Sequence, residues 1–474
     1  AAESGPQRRV AVIKISNLGR QRFGKTLLRG NFRTRPSVIM GELGFSEGAL
    51  LSTEQIAAGA ARLRATGLFE AVKIDFLDND AASRNVNAIV RVEERYEKPG
   101  YVDGEGGYSF LNGGLFIKFT GFMGNLGGLG ISSQVVTQWR FTCLDVSVDC
   151  VKWGQAEGNV KVPRWLWRRI LPIEFDSDFS AFYRSLPTPR FGELKTIGAS
   201  VSASRSNLRT RTESHPARII TYGLRYDFRS RDRQENALRP AGAGADNARL
   251  PVTTNTGAIV ARVEWEQRVD RRGVLAPLGP EAGFRFEASA ALAHPWLLGQ
   301  ATFVKLSGSL QRYQSIGQNL ILRTDLRYDH GIPLGGAALL PDVERFFSGG
   351  DTTVRGYAED SLATDVITSP VPPFSNVEQL HVRPAGGNIR GLTSVDAQLR
   401  IFGALASAVF VDAGVVTNRW RDVDRDKVRI GVGMALARVV TGFGSLAVEY
   451  AVPLSPRLGD DPRGRWHIGF AMRF

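Results

Sequence analysis

The sequence predicts a transmembrane β-barrel of about 16 antiparallel strands, preceded by a small α+β domain of β-α-α-β-β order. Three observations carry this. From about Tyr101 to the last residue, apolar and polar residues alternate in short runs with no amphipathic helix between them. No run of 18 or more apolar residues occurs, so the chain does not cross a membrane with helices. The first hundred residues follow another pattern, with clear helix start and stop signals.

The α+β unit reads in order. Lys25 to Arg29 is a strand closed by Gly30-Asn31. Pro36 suits a first helical turn, and Val38, Ile39 and Leu43 form its apolar stripe. Ser52-Thr53-Glu54-Gln55 is a capping box, followed by Ile56, Ala60 and Leu63 on one helical face and by Gly67 as a stop. Val72 to Leu77 and Val86 to Glu93 are strands, with Val86, Ala88, Val90 and Val92 on one face. Val10 to Ile15 reads as the last strand of a preceding unit. The expected boundaries are 1–23 for this remnant and its linker, 24–96 for the α+β domain and 97–474 for the barrel.

In the second region the runs Ile220 to Phe228, Leu320 to Tyr328, Val395 to Ile401, Ile430 to Leu436, Leu446 to Val452 and Trp466 to Phe474 each place apolar residues on one face. The other face carries charges, Gly and Ala. A soluble sandwich packs one face on a second sheet and keeps its loops short. An apolar outer face and a polar inner face instead suit a barrel in lipid, whose sheet must close because lipid satisfies no free strand edge. About 375 residues at roughly 22–25 per strand and loop set the strand number.

Composition narrows the classes. The 474 residues are 43% apolar and 23% charged, with a mean hydropathy of −0.13, too polar for a bundle of membrane helices and too apolar for a disordered chain. The longest apolar stretch, Gly403 to Val416, is interrupted by Asp412. The charge of +13 is spread along the chain, which fits contact with anionic lipid head groups rather than nucleic acid. Cys143 and Cys150 are neither a disulfide scaffold nor a zinc site. On one strand they would sit on opposite faces, whereas a hairpin between them would bring them together. No signal peptide is visible in Ala1 to Gly5, as in a mature or trimmed form. The five histidines are isolated, no Gly-x-Ser-x-Gly elbow occurs, and Gly124 to Gly130 lacks the βαβ context of a phosphate loop. No metal, cofactor or catalytic activity is therefore expected.

Three motifs are sharper. The chain ends in a strand pattern, His467-x-Gly469-x-x-Met472-x-Phe474. Phe346 to Asp351 followed by Val354-Arg355-Gly356-Tyr357 forms a Gly-rich loop whose Arg355 fork suits carboxylates. An opening strand near Val102 to Phe119 carries Gly104, Gly106 and Gly107, and the closing strand carries Gly464 and Gly469. Glycine weakens strands, so these residues are candidates for a lateral seam.

Val354 to Tyr357 resembles the inward-folded sixth extracellular loop of the BamA/TamA-type barrel-assembly factors, relatives of the mitochondrial sorting-and-assembly core protein. Arg29 to Thr34, Val38-Ile39, Glu42-Leu43, Arg62-Leu63 and Thr66 to Phe69 resemble a POTRA (polypeptide-transport-associated) domain. Gly124 to Gly130 resembles the first extracellular turn of these barrels, Phe410 to Gly414 and Tyr450 to Leu454 two late strands, and the C-terminal pattern their targeting signal. Met472 departs from that signal, which often has an aromatic there, and only one complete POTRA unit is present.

The resemblance implies a protein of the bacterial outer membrane, or else of an organelle outer membrane, with its POTRA domain in the periplasm. It would fold and insert β-barrel clients without ATP, through the seam and by β-augmentation. Partners would be unfolded barrel proteins, accessory periplasmic or lipoprotein subunits at the POTRA domain, and membrane lipids. Asp396 and Asp412 match the acidic positions that hold the loop arginine. A two-partner-type secretion translocator and a passive porin are the alternatives.

Overall fold

The computed structural model describes residues 21–77, 85–95, 100–109, 114–143, 150–167, 175–188, 192–209, 216–233, 253–276, 279–369, 379–402, 404–441, 444–457 and 460–473. The strand expected at Val10 to Ile15 and the terminal Phe474 lie outside the described residues. No helix among the described residues is long and apolar enough to cross a membrane.

The first unit holds β1 (Arg22–Arg29), α1 (Pro36–Leu43), α2 (Thr53–Ala65), β2 (Phe69–Leu77) and β3 (Asn85–Glu94). β3 is central, parallel to β1 and antiparallel to β2. Pro36 opens α1, where its missing N–H costs nothing, and left-handed Gly44 ends it. Ser52 accepts from the Gln55 amide to cap α2, and Gly67 turns out at φ +72°. The helices bury Ile39, Leu43 and Leu63 against Phe23, Phe69, Val72, Val90 and Val92 of the sheet. Arg62 donates to the carbonyls of Glu42 and Leu43 at 2.8 and 2.5 Å, satisfying two groups that the end of α1 leaves unpaired.

The second unit is a closed antiparallel barrel. Its strands are β4 (Gly100–Ser109), β5 (Gly114–Leu126), β6 (Ile131–Cys143), β7 (Cys150–Val162), β8 (Asp176–Thr188), β9 (Gly192–Arg209), β10 (Arg218–Arg233), β11 (Thr253–Glu266), β12 (Gly283–Ala293), β13 (Phe303–Ile316), β14 (Leu320–Pro333), β17 (Ile389–Phe402), β18 (Leu405–Thr417), β19 (Arg429–Thr441), β20 (Gly444–Pro453) and β21 (Arg465–Arg473). β15 (Thr364–Ser369) and β16 (Gln379–Pro384) form a hairpin inside the long β14–β17 loop. A four-residue helix, α3 (Arg164–Trp167), interrupts the strand pattern between β7 and β8. β21 pairs with β4 and closes the sheet.

The outer face is the apolar one. Leu326, Val395, Leu399, Val409, Val411 and Phe470 are each 40% or more exposed, whereas Asp396, Phe410, Asp412 and His467 on the opposite face of their strands are buried. Cys143 and Cys150 are register partners across the β6–β7 hairpin.

Three expectations change here. The run from Val102 to Phe119 is two strands. Tyr108 faces outward opposite Phe470, but in β5 the exposed set shifts to odd positions, Leu115, Ile117 and Phe119, and a phase change cannot occur within one regular strand. The extra strand reverses direction, so the turn at Gly124 to Gly130 lies at the rim where β4 begins and is not an extracellular turn. Gly464 belongs to the β20–β21 connection. It sits at φ +85°, where a Cβ would lie 2.3 Å from the Ala451 carbonyl oxygen, so its glycine serves a tight entry into β21.

Candidate functional site

Two places on the barrel concentrate the candidate residues: the inward-folded loop between β14 and β17, and the line where β21 meets β4.

The loop spans residues 334–388 and is pinned at two points. At its tip, Gly349 and Gly350 take φ +124° and +91°, and Gly356 takes φ +94° beside the Val452–Pro453 backbone. On either side of Gly356 the chain inserts Val354, Arg355 and Tyr357 into the wall of β17 to β20, all buried. The Arg355 guanidinium meets Asp412 in a two-pronged pair, Nε at 2.7 Å and Nη2 at 2.8 Å, and the Arg355 amide donates to the same carboxylate at 3.0 Å. Nη1 reaches Glu449 at 3.0 Å and Asp396 at 3.7 Å. The Ser394 hydroxyl lies 3.3 Å from Nη2 and bridges on to Asp412 at 2.6 Å. The guanidinium plane lies 3.3 Å over the Phe410 ring, a stacking that Lys could not reproduce. Arg438 closes the network by binding Asp396 at 2.7 Å and Glu449 at 2.6 Å. Two arginines thus face three carboxylates. Gly431 leaves the space for this approach, since a Cβ there would lie 1.9 Å from the Arg355 carbonyl oxygen. Tyr357 donates to the Ile430 carbonyl at 3.1 Å.

At its base the loop contributes Glu344, buried between Arg231 of β10 and Lys305 of β13, with Lys305 at 2.8 Å. Burial alone would raise the Glu344 pKa, but these two cations hold it well below the usual carboxylate range. Arg390 of β17 binds Asp329 of β14 at 2.7 Å and donates to the Phe347 carbonyl at 2.9 Å. Beneath the tip lies a polar cavity of about 960 Å³, lined by Arg323, Asp325, Arg355, Asp396, Arg438 and Glu449 among others.

Asp396 and Asp412 follow from the resemblance and Phe410 belongs to its late-strand motif, whereas no motif marks Glu449, Ser394 or Arg438. The signal for Glu449 lay in the β20 alternation, where it is the single charge among Ala447 and Ala451 on the inner face. Arg231, Lys305 and Glu344 left no signal in the sequence, because their meeting depends on barrel closure.

The seam is short. Among the described residues, Gly469 to Arg473 of β21 face Ser109 back to Glu105 of β4, five pairs where β9 and β10 share sixteen. Gly106 and Gly107 lie in this stretch and Gly104 just beyond it. Gly107 faces the lumen under the Phe116 ring, and a Cβ there would lie 2.2 Å from the Phe470 carbonyl oxygen. Gly469 has open space around it. His467, buried on the lumenal face opposite Glu449, and Gly469 both point inward, whereas Phe470 points to lipid. Met472 pairs through its backbone with Gly106.

A POTRA unit followed by a closed 16-stranded barrel with an ion-paired inward loop defines an outer-membrane barrel of the assembly and translocation class. Residues 165–474 match the Omp85 superfamily domain, and residues 21–103 match POTRA, described as a surface antigen variable number repeat. The chain belongs to the Omp85 superfamily. Its fold is similar to that of BamA from Haemophilus ducreyi lacking POTRA domains 1–3, with a TM-score of 0.68 and 18% identity over 97% of this chain and 86% of that one. It is also similar to CdiB from Acinetobacter baumannii (0.58, 12%, 96% of this chain and 74% of that one) and CdiB from Escherichia coli (0.57, 14%, 96% and 77%). The protein is thus one of an outer membrane, with its POTRA domain in the periplasm.

Proposed function

We propose that this protein folds and inserts β-barrel clients into the outer membrane through the β21–β4 seam, without ATP. A nascent strand must satisfy its backbone N–H and C=O groups before it enters lipid. Parting β21 from β4 would expose two strand edges in the membrane plane, and a client strand could add to either by β-augmentation. The observation that carries this reading is the five-pair ladder with Gly106, Gly107 and Gly469 in it, the shortest strand pairing among the described barrel ladders. The POTRA domain leaves β2 at the edge of its sheet, a surface on which clients or accessory subunits could add in the same way.

Translocation of an unfolded polypeptide through the lumen is the competing reading. It would require the loop to leave its buried network of two arginines and three carboxylates, a costly step. A disulfide across the seam separates the two. Tyr108 and Phe470 are register partners that both face lipid; Gly107 is unsuitable because its Cβ would meet the Phe470 carbonyl. Tyr108→Cys with Phe470→Cys should abolish client insertion when oxidised and restore it on reduction. A locked protein that inserts clients at the normal rate would overturn the seam mechanism. Depletion in cells gives a second check, since general loss of outer-membrane barrels supports the insertase and loss of one exported protein supports the translocator.

A further inference from the structure

The lipid-facing wall away from the seam is not uniformly filled. Across β12 to β18 lies an apolar groove of about 410 Å³, lined by Phe286, Leu310, Leu326, Tyr328, Gly308 and Gly391 among others. Its depth comes from two glycines. Gly308 and Gly391 are the register partners of Tyr328 on either side, so the ring stands between two positions without side chains. A Cβ on Gly308 would meet nothing within 4 Å, so close backbone packing does not explain a glycine there.

A charge stands one outward position beyond the groove's lining residue Leu310. Arg312 follows Leu310 on the outward face of β13, opposite Phe284 of β12 and Thr324 of β14. It is exposed and forms no ion pair among the described residues. This sets it apart from the lumenal arginines, such as Arg268, Arg285, Arg323 and Arg327, which are paired with carboxylates. The rim near Arg312 has the composition of a membrane–water interface. Trp265 packs on Phe284 at 5.3 Å, and the Arg218 guanidinium lies 5.7 Å over the Trp265 ring. An uncompensated arginine on the lipid face is unfavourable except where it meets a head group.

We propose that this groove and Arg312 form a binding site for a single anionic phospholipid of the periplasmic leaflet. One acyl chain lies along Leu310, Gly308 and Tyr328, and the phosphate pairs with Arg312. The occupant is a lipid because the groove opens on the face that meets the bilayer, and an anionic one because Arg312, the next outward residue of β13 beyond Leu310, carries no ion pair among the described residues, whereas Arg327 of the lining is paired with Asp329.

The test uses the whole chain in nanodiscs of equal parts phosphatidylglycerol and phosphatidylcholine, followed by native mass spectrometry of the released barrel. The wild type should retain one phosphatidylglycerol in preference to phosphatidylcholine by about fivefold, the effect of one arginine near an anionic head group. Arg312→Gln should bring that preference to parity while lipid is still retained. Gly308→Leu should remove the retained lipid of both kinds, and heat-modifiable migration on gels verifies that each variant is folded. Equal retention of both lipids by the wild type, or unchanged retention in Gly308→Leu, would overturn the site. So would a Gly308→Cys variant that crosslinks in membranes to a second copy or to another protein, since the groove would then be a protein interface.

Discussion

The wall of β17 to β20 and the seam between β21 and β4 are neighbours in one sheet, and they are built on opposite principles. The wall is held twice, by its backbone ladders and by the Arg355 network that ties a loop across it. Among the described residues the seam has five backbone pairs, and its lumenal face carries Gly107, Gly469 and Ala471 beside a single carboxylate, Glu105, where the wall carries Asp396, Asp412 and Glu449. A closed barrel has no edge to spare, so a molecule that must open needs one weak line and a rigid frame beside it. On the proposed opening of the seam, the loop network would supply the frame and strain would go to the seam.

The sharpest test of this contrast places the same crosslink in both regions. Val395 and Val411 are outward register partners in the wall. Val395→Cys with Val411→Cys should leave client insertion unchanged, whereas the Tyr108 and Phe470 pair should stop it. Equal effects in the two places would erase the distinction.

Next in size is removal of the network's centre. Arg355→Ala strands Asp412 in a buried site and leaves Asp396 and Glu449 to Arg438 alone, a loss of about 3–5 kcal/mol for breaking such a pair. The temperature at which the barrel loses its folded gel mobility should fall clearly, and assembly activity should fall with it. Arg355→Lys should rescue only part, because it restores charge without the fork or the stack on Phe410. An unchanged Arg355→Ala protein would mean that the frame does not depend on the loop.

Smaller effects come from the seam itself. Gly107→Val drives a side chain into the Phe470 carbonyl and the Phe116 ring. It should cost about 1–3 kcal/mol and raise ion conductance in planar bilayers. Gly469→Ala meets open space and should stabilise the barrel by about 0.4–1 kcal/mol through the unfolded chain, slowing insertion slightly.

The base of the loop gives the smallest effect at neutral pH. A carboxylate whose folded pKa is depressed contributes stability that is fully present above its unfolded value, about 4.3, and is lost as pH falls through the folded value. Glu344 is such a group. Heat stability should therefore change little through this group from pH 8 to about 5 and decline below about 4. Glu344→Gln should remove that part of the acid dependence, measured as the difference between the two pH profiles.

The first domain was legible nearly residue by residue. Pro36, Ser52 with Gln55, and Gly67 each sit where local chemistry places them, because capping and propensity act over a few residues. Strand faces were equally legible, since a period of two is a local property: the inner position of Asp412 and the outer position of Val411 follow from alternation alone. Strand count along the opening run was harder, because the phase change between Tyr108 and Leu115 spans only a few residues.

What the sequence by itself determined, then, is which residues face lipid and which face the lumen, and that the barrel must close. Only the tertiary structure decided which lumenal charges meet. Arg355 and Glu449 are 94 residues apart and Arg231 and Glu344 are 113 apart, and nothing local distinguishes these carboxylates from others on the inner face. The number of strands and the shift in register between them bring these side chains together, and the same closure sets β21 beside β4. Alternation is written in each strand; partnership is set by the circumference of the sheet.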